Sequence, residues 1–270
     1  MLPNLLLIGA MKAGTTSLYA DLAQLPNVFM CPEKEPNDLL SSQCETPAGR
    51  SAYASKFTRG AGVKWRGEAS TAYTMRPTYM GVAERARRVL GPDTRLIYIT
   101  RDPVERIVSQ YHRLWGLGLE TRPMHEAVCS EDYLAYSRYD WQLAPWRKVF
   151  GEETILCLRF EDYIEDKAKV IAEICRFLDL PIPEELVFTH RNASTNKRFV
   201  RPGGLASKLF HGRAYLHSVK PYLPQRLRDA AKRVLLPRAR PLLEAIDPET
   251  KATIEAALKA SPDPICNAAS

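Results

Sequence analysis

The sequence lacks any long hydrophobic run. The longest apolar run near its N-terminus is Leu5–Ile8. A membrane-spanning helix needs about 20 apolar residues, and the core of a secretory signal needs at least about seven. We therefore expect neither a membrane anchor nor a secretory signal here, and we expect a cytoplasmic location.

Metal-binding and catalytic-triad patterns are also missing. The six cysteines form no C-x-x-C pair, and none has a histidine nearby at the spacing of a zinc site. The five histidines show no spacing typical of a catalytic triad. We therefore expect no structural zinc, and we expect the thiols to be reduced and partly buried.

Acidic residues are almost absent from one stretch near the C-terminus. Between Lys208 and Arg240, nine Lys and Arg residues accompany a single acid, Asp229, and the whole chain carries a net charge of +7. Such an excess favours anionic partners. The stretch fits either a docking surface for an anionic partner (a polysaccharide, a lipid headgroup or an acidic carrier protein) or a solvated helical surface. Nucleic acid is not expected, because no nucleic-acid-binding motif accompanies the charge.

Apolar strands alternate with helices along the chain. Its 270 residues are enough to bury a core as a single domain. Strands that are apolar on both faces indicate a parallel sheet with helices on each side. We predict a three-layer α/β fold with a central parallel sheet, in a single domain over 1–270 that has a basic helical part at about 205–270. The predicted strands are 4–9, 27–31, 63–68, 95–100 and 154–159, and the predicted helices are 14–24, 79–90, 103–115, 140–149, 166–178 and 249–259.

The most informative motif follows the first predicted strand. The apolar run leads into a short loop that carries Lys12, Gly14, Thr15 and Thr16. A buried strand that ends at such a loop before a helix presents free backbone N–H groups and a positive dipole end to an anion. The nucleoside-triphosphate loop G-x-x-x-x-G-K-[ST] has its Lys directly after the second Gly, whereas Lys12 lies two residues before Gly14. The motif predicts a phosphate-bearing nucleotide other than ATP or GTP.

Two blocks together resemble a known family. Lys12-Ala13-Gly14-Thr15-Thr16 resembles the 5′-phosphosulfate loop of sulfotransferases that use 3′-phosphoadenosine 5′-phosphosulfate (PAPS). A strand that ends in Arg101-Asp102-Pro103, followed by a helix with Ser109, resembles their 3′-phosphate block. The blocks come in the family's order about 90 residues apart, and the similarity covers roughly residues 4–200. It is greatest to the branch that holds the heparan sulfate sulfotransferases and bacterial relatives, and it implies a P-loop-like fold.

The resemblance implies how the donor is bound. Lys12 would stabilise the negative charge that grows on the oxygen between phosphorus and sulfur as the sulfuryl group leaves. The forked guanidinium of Arg101 suits the 3′-phosphate, and no metal is required. A late segment, 192–198, resembles an element that returns basic residues to the nucleotide phosphates. The predicted nucleotide-binding residues are Lys12, Ala13, Gly14, Thr15, Thr16, Arg101, Ser109, Lys197 and Arg198.

The acceptor needs a base, and two carboxylates are candidates. In the heparan branch a Glu follows the second strand within Lys-Glu-x-His-Phe-Phe; Glu35 aligns with it here, although the His-Phe-Phe part is absent. Glu68 lies in a segment, 67–73, that resembles the family's Glu-x-[ST]-Pro-x-Tyr, with Thr71 in place of Pro. It is either a second base or a residue that orients Lys12. Residues 36–62 show no clear period, and we predict a surface excursion that shapes the acceptor site.

The sequence thus predicts a sulfotransferase that uses PAPS as co-substrate. It would move a sulfuryl group to a hydroxyl, in preference to an amine, and release 3′-phosphoadenosine 5′-phosphate. The acceptor would be a small molecule, a carbohydrate, a lipid or a carrier-bound group. Two alternatives stay open: an atypical P-loop kinase, for whose Mg²⁺ Asp102 is the one obvious acid, and a non-catalytic anion-binding module that docks through its basic C-terminal part.

Overall fold

A five-stranded parallel sheet forms the centre of the protein. The computed structural model describes residues 1–183 and 245–260. The strands lie in the spatial order β2-β3-β1-β4-β5, and every neighbouring pair is parallel. This confirms the predicted sheet and its strand positions. The strands are β1 (Leu5–Gly9), β2 (Val28–Met30), β3 (Trp65–Ala69), β4 (Arg95–Thr100) and β5 (Ile155–Arg159).

Helices connect the strands and cover the sheet. Each predicted helix is present, with ends that shift by a few residues. The four helices α2, α5, α6 and α8 were not predicted, and three of them are only four to six residues long, too short to show a period. The helices are α1 (Thr15–Leu22), α2 (Pro47–Ser55), α3 (Val82–Leu90), α4 (Pro103–Leu117), α5 (Met124–Ala127), α6 (Glu131–Leu134), α7 (Tyr139–Phe150), α8 (Phe160–Glu165), α9 (Lys167–Phe177) and α10 (Pro248–Ala260).

The inner strands carry the core. All residues of β1 are buried, as are the four inner residues of β4. Both faces of these strands therefore need apolar side chains, which explains their continuous Leu and Ile runs. Each fully buried Leu or Ile contributes about 1.5–3 kcal/mol relative to an exposed one. A rigid centre of this kind holds the loops that follow β1 and β4 in fixed positions.

The prediction of a surface excursion over 36–62 was wrong in part. The segment contains α2, which begins where the Thr46 side chain accepts a hydrogen bond from the Gly49 N–H at 3.1 Å, with Pro47 at the first helical position. Tyr53 and Phe57 are fully buried, and their rings meet edge to face at 5.6 Å. Most of α2 is small and polar, so its sequence shows almost no apolar period. These two rings, together with Leu39 and Cys44, pack into the same core as the sheet.

Several predictions concern residues outside the described ones. Lys197, Arg198 and the basic stretch 208–240 lie between the two described ranges. Within those ranges, no helix combines the length and the apolar character that a membrane crossing requires. The five described cysteines are free; Cys31, Cys44 and Cys175 are buried as expected, Cys129 is half-buried, and Cys157 is exposed. The single-domain boundary and the cytoplasmic location stay predictions.

Candidate active site

The two predicted phosphate blocks meet at the carboxyl edge of the sheet. β1 lies directly beside β4, so the loop after β1 and the Arg101 turn after β4 are neighbours. The backbone N–H of Ala10 donates to the carbonyl of Ile99 at 2.8 Å, which joins the two segments just before they diverge. Within the sheet, β2 and β3 lie on one side of β1, and β4 and β5 lie on its other side. Ligands of open α/β sheets bind at such a reversal of strand order.

The loop after β1 turns sharply into α1. Lys12 and Gly14 both have left-handed backbone conformations, with φ of 71° and 91°. Gly14 directly precedes α1, and its carbonyl accepts the Ser17 and Leu18 N–H groups. The first N–H groups of the helix are therefore available to an anion. Ala13 and Thr15 are buried, Lys12 is half-buried and Thr16 is exposed.

Arg101 is half-buried and held through its backbone. The Tyr139 hydroxyl donates to the Arg101 carbonyl at 2.6 Å. Burial raises the pKa of this hydroxyl to about 12, so it stays a donor. The Arg101 guanidinium donates to Glu105 at 3.1 Å, and Glu105 is well exposed, with 62% of its side chain accessible. Ser109 lies two turns further along α4 and is half-buried.

An aromatic residue that the sequence analysis missed lies between the two blocks. Phe160 is the first residue of α8, directly after β5. Its ring packs so closely on Gly14 that a Cβ at that glycine would lie 2.5 Å from a ring carbon. The guanidinium carbon of Arg101 is 5.1 Å from the ring centroid, within cation–π range. Its position in the sequence could have indicated this role, because Phe160 follows a strand that ends at the same edge of the sheet as β1 and β4.

Glu35 lies at the end of β3, although it follows β2 in the chain. Its backbone N–H donates to the Ala69 carbonyl at 2.9 Å. Its carboxylate accepts hydrogen bonds from the Thr71 N–H at 2.8 Å and the Thr71 hydroxyl at 3.2 Å, and it forms an ion pair with Lys34. One third of the side chain is exposed. The carboxylate is therefore fixed in place and still accessible.

Glu68, by contrast, is fully buried. Its carboxylate accepts hydrogen bonds from three hydroxyls: Tyr53, Tyr73 at 2.7 Å and Ser70 at 2.8 Å. Burial raises the pKa of Glu68 to about 7, although the three hydroxyls oppose the rise. The Ser70 oxygen also accepts the Asn37 N–H at 3.2 Å. Glu68 thus binds the end of β3 to α2 and to the loop that carries Glu35.

The acid that a kinase would need has a structural role. The Asp102 side chain accepts the Glu105 N–H at 2.9 Å and caps α4. Among the residues that the structure describes, no group of three or more His, Cys, Asp or Glu side chains is placed to hold a metal ion.

Comparison with known proteins identifies the family. Residues 2–198 match the family model of the sulfotransferase domain. Because the match covers well over half of the chain, the chain belongs to the sulfotransferase family. The family that the two blocks indicated is confirmed, and it favours the sulfotransferase prediction over the kinase alternative. The roles of the individual site residues stay predictions.

Relatives of this chain include carbohydrate-modifying sulfotransferases. It is 28% identical to the bifunctional heparan sulfate N-deacetylase/N-sulfotransferase 1 of Caenorhabditis briggsae, over 73% of this chain and 25% of that protein. It is 24% identical to carbohydrate sulfotransferase 15 of Rattus norvegicus, over 73% of this chain and 48% of that protein. The chain therefore spans between a quarter and half of the length of these curated relatives.

Solved structures support the same fold. A sulfotransferase from Alicyclobacillus acidocaldarius superposes with a TM-score of 0.62 at 27% identity, over 70% of this chain and 85% of that one. The sulfotransferase domain from the curacin biosynthetic pathway superposes with a TM-score of 0.52 at 18% identity, over 95% and 98% of the two chains. The predicted three-layer, P-loop-like fold with a central parallel sheet is confirmed.

Proposed function

We propose that this protein transfers a sulfuryl group from PAPS to a hydroxyl and releases 3′-phosphoadenosine 5′-phosphate. The observation that carries the proposal is the pairing of two cationic loops, at Lys12 and at Arg101, at the ends of adjacent strands. PAPS has an anionic group at each end of its adenosine. Two separate anion sites side by side match that charge distribution.

The 5′-phosphosulfate would lie at the loop after β1. Gly14 lets the backbone approach the ligand closely, and the N-terminus of α1 faces the phosphate. Lys12 contributes most where charge develops, on the oxygen between phosphorus and sulfur.

The 3′-phosphate would lie at Arg101. The present partner of that guanidinium is the exposed Glu105 carboxylate, 3.1 Å away. Exposed ion pairs of this kind are worth about 0–1 kcal/mol. A phosphate that accepts two parallel hydrogen bonds binds a guanidinium more strongly, so it would displace Glu105 at little cost.

Glu35 is the better of the two candidate bases. A general base must reach the proton of the acceptor. Glu35 is one third exposed, whereas Glu68 is fully buried and already accepts three hydroxyls. The Thr71 N–H, which donates to Glu35 at 2.8 Å, keeps that carboxylate oriented.

In the proposed step the acceptor oxygen attacks sulfur in line with the departing oxygen. The acceptor proton passes to Glu35 as the new oxygen–sulfur bond forms. The electron pair of the breaking sulfur–oxygen bond stays on the 5′-phosphate oxygen, beside Lys12. Positioning and charge stabilisation account for most of the rate, as in phosphoryl transfer.

The acceptor class is proposed from the relatives. Two of them carry the names of a heparan sulfate N-sulfotransferase and a carbohydrate sulfotransferase, so a carbohydrate acceptor is the first choice, at a hydroxyl in preference to an amine. Small-molecule, lipid and carrier-bound hydroxyls are the other classes to be tested.

The experiment is a transfer assay with sulfate-labelled PAPS and a panel of sugars, phenols, lipids and carrier-bound acceptors. We expect transfer that persists in EDTA, and a loss of about 10²–10³ in turnover for Lys12→Ala. Phosphate transfer from ATP that EDTA abolishes would instead indicate the kinase alternative. Tight binding of PAPS with no transfer to any acceptor would indicate a non-catalytic module.

A further inference from the structure

Helix α8 contacts both of the loops that the proposed function assigns to the donor. It begins at Phe160, directly after β5. In the sheet, β5 neighbours β4 but is separated from β1 by that strand. Helix α8 reaches the loop after β1 and helix α1 through two side chains, Phe160 and Tyr163.

The contact with the Arg101 turn is a hydrogen bond from the backbone. The Asp102 N–H donates to the Glu161 carboxylate at 2.8 Å. The ring of Phe160, one residue earlier, lies beneath the Arg101 guanidinium at 5.1 Å. Hydrogen bonds to a charged acceptor are stronger than neutral ones, so Glu161 holds this turn directly against α8.

The contact with the first loop has two parts. At the front, the Phe160 ring packs on Gly14. At the back, the Tyr163 hydroxyl donates to Asp21 on α1; Lys167, the first residue of the next helix α9, forms an ion pair with the same carboxylate oxygen at 3.4 Å. Tyr163 and Asp21 are only 1% and 2% exposed. A buried hydrogen bond of this kind holds α1, and with it the loop, in one position relative to α8.

We propose that α8 is a clasp that sets the distance between the two anion-binding loops, with Glu161 and Tyr163 as positioning residues. This inference rests on the proposed function. A ligand with a phosphate at each end gains from its second contact only if both sites are already correctly spaced. The clasp would therefore determine the selectivity for nucleotides that carry both a 5′- and a 3′-phosphate over nucleotides that carry one.

The test compares three ligands by calorimetry: adenosine 3′,5′-bisphosphate, adenosine 5′-monophosphate and adenosine 3′-monophosphate. In Glu161→Ala the turn loses its acceptor. We expect the bisphosphate to bind at least about fivefold more weakly, the scale of one partly exposed hydrogen bond to a charged group, while each monophosphate changes by less than about twofold. Glu161→Gln keeps an acceptor oxygen and should restore most of the bisphosphate affinity.

A matched control lies on the same helix. The Asp162 side chain is half exposed and lies 3.5 Å from Arg159. Asp162→Ala removes the same charge without touching either loop, so it should leave all three affinities unchanged. Tyr163→Phe provides an independent variant at the back of the clasp, and it should reproduce the selective loss for the bisphosphate. In turnover, both clasp variants should raise the KM for PAPS and leave kcat at saturation nearly unchanged.

The outcomes separate this inference from the proposed function. If the wild type binds the bisphosphate no more tightly than either monophosphate, both proposals are overturned. If the wild type prefers the bisphosphate, and Glu161→Ala and Tyr163→Phe weaken all three ligands equally or none of them, the clasp alone is overturned. A selective loss that Glu161→Gln restores supports the clasp.

Discussion

Replacing Glu35 by Gln would test the proposed base most directly. The substitution removes the negative charge but keeps an oxygen that accepts the Thr71 N–H, now at 2.8 Å. The ion pair with Lys34 is lost, but both partners are partly exposed, so its contribution to folding is at most about 1 kcal/mol. The fold and the donor loops should therefore survive the change.

The expected effect is on turnover alone. Loss of a general base lowers turnover by at least about 10²-fold, which corresponds to about 2.7 kcal/mol in the activation free energy. The affinity for 3′-phosphoadenosine 5′-phosphate should not change, because the Glu35 side chain is held by hydrogen bonds from Thr71 at the end of β3. Transfer assays at saturating PAPS, with calorimetry on the same preparations, measure both quantities.

Glu68→Gln is the matched control, since it makes the same chemical change at a carboxylate that is fully buried. The two carboxylate oxygens of Glu68 accept hydrogen bonds from three hydroxyls, whereas Gln has only one oxygen that can accept them. Each buried group left without a partner costs about 1–3 kcal/mol of unfolding free energy. We expect a lower melting temperature, by about 2–4 °C for each kcal/mol in a protein of this size, with a smaller loss of turnover.

One result would refute this assignment. If Glu68→Gln lost about 10²-fold in turnover at unchanged donor affinity and melting temperature, and Glu35→Gln stayed within about threefold of wild type, the two roles would be exchanged. A loss of donor affinity in Glu35→Gln would instead show that Glu35 belongs to the nucleotide site.

Three further predictions concern the donor loops and the buried carboxylate. Arg101→Ala should weaken the binding of 3′-phosphoadenosine 5′-phosphate by about 1.5–3 kcal/mol, as measured by calorimetry. The affinity for adenosine 5′-phosphosulfate, which lacks the 3′-phosphate, should be nearly unchanged. Gly14→Ala should raise the PAPS KM, whereas Gly62→Ala should leave it unchanged. Both glycines have φ near 90°, but only at Gly14 does a new Cβ meet Phe160. The pKa of Glu68 rises from 4.5 to about 7 on folding, so the folded state binds this proton more tightly than the unfolded state. The protonated group therefore makes its full contribution to stability below pH 4.5, and that contribution is lost as the pH rises through about 7. Denaturant unfolding between pH 4.5 and 7.5 should therefore show a fall of at most about 3 kcal/mol that Glu68→Gln lacks; equal slopes would contradict it.

The sequence was sufficient for the features that depend on neighbouring residues. Uninterrupted apolar strands predicted the parallel sheet, because a strand buried on both faces has no position for a polar side chain. Lys12 to Thr16 and the Arg101 turn were recognisable because each block forms within one strand–loop–helix unit. Their convergence at one sheet edge followed from the rule that parallel strands end on the same side.

Only the tertiary structure decided how distant segments combine. Sequence patterns could not rank Glu35 against Glu68, because the two carboxylates differ in burial. Glu68 is covered in part by Tyr53, which donates to it from α2, and the few apolar residues of that helix show no period. The bond between Asp21 and Tyr163 joins positions 142 residues apart. Such contacts depend on the strand order β2-β3-β1-β4-β5, which determines the helices that lie side by side and which no local pattern of residues encodes.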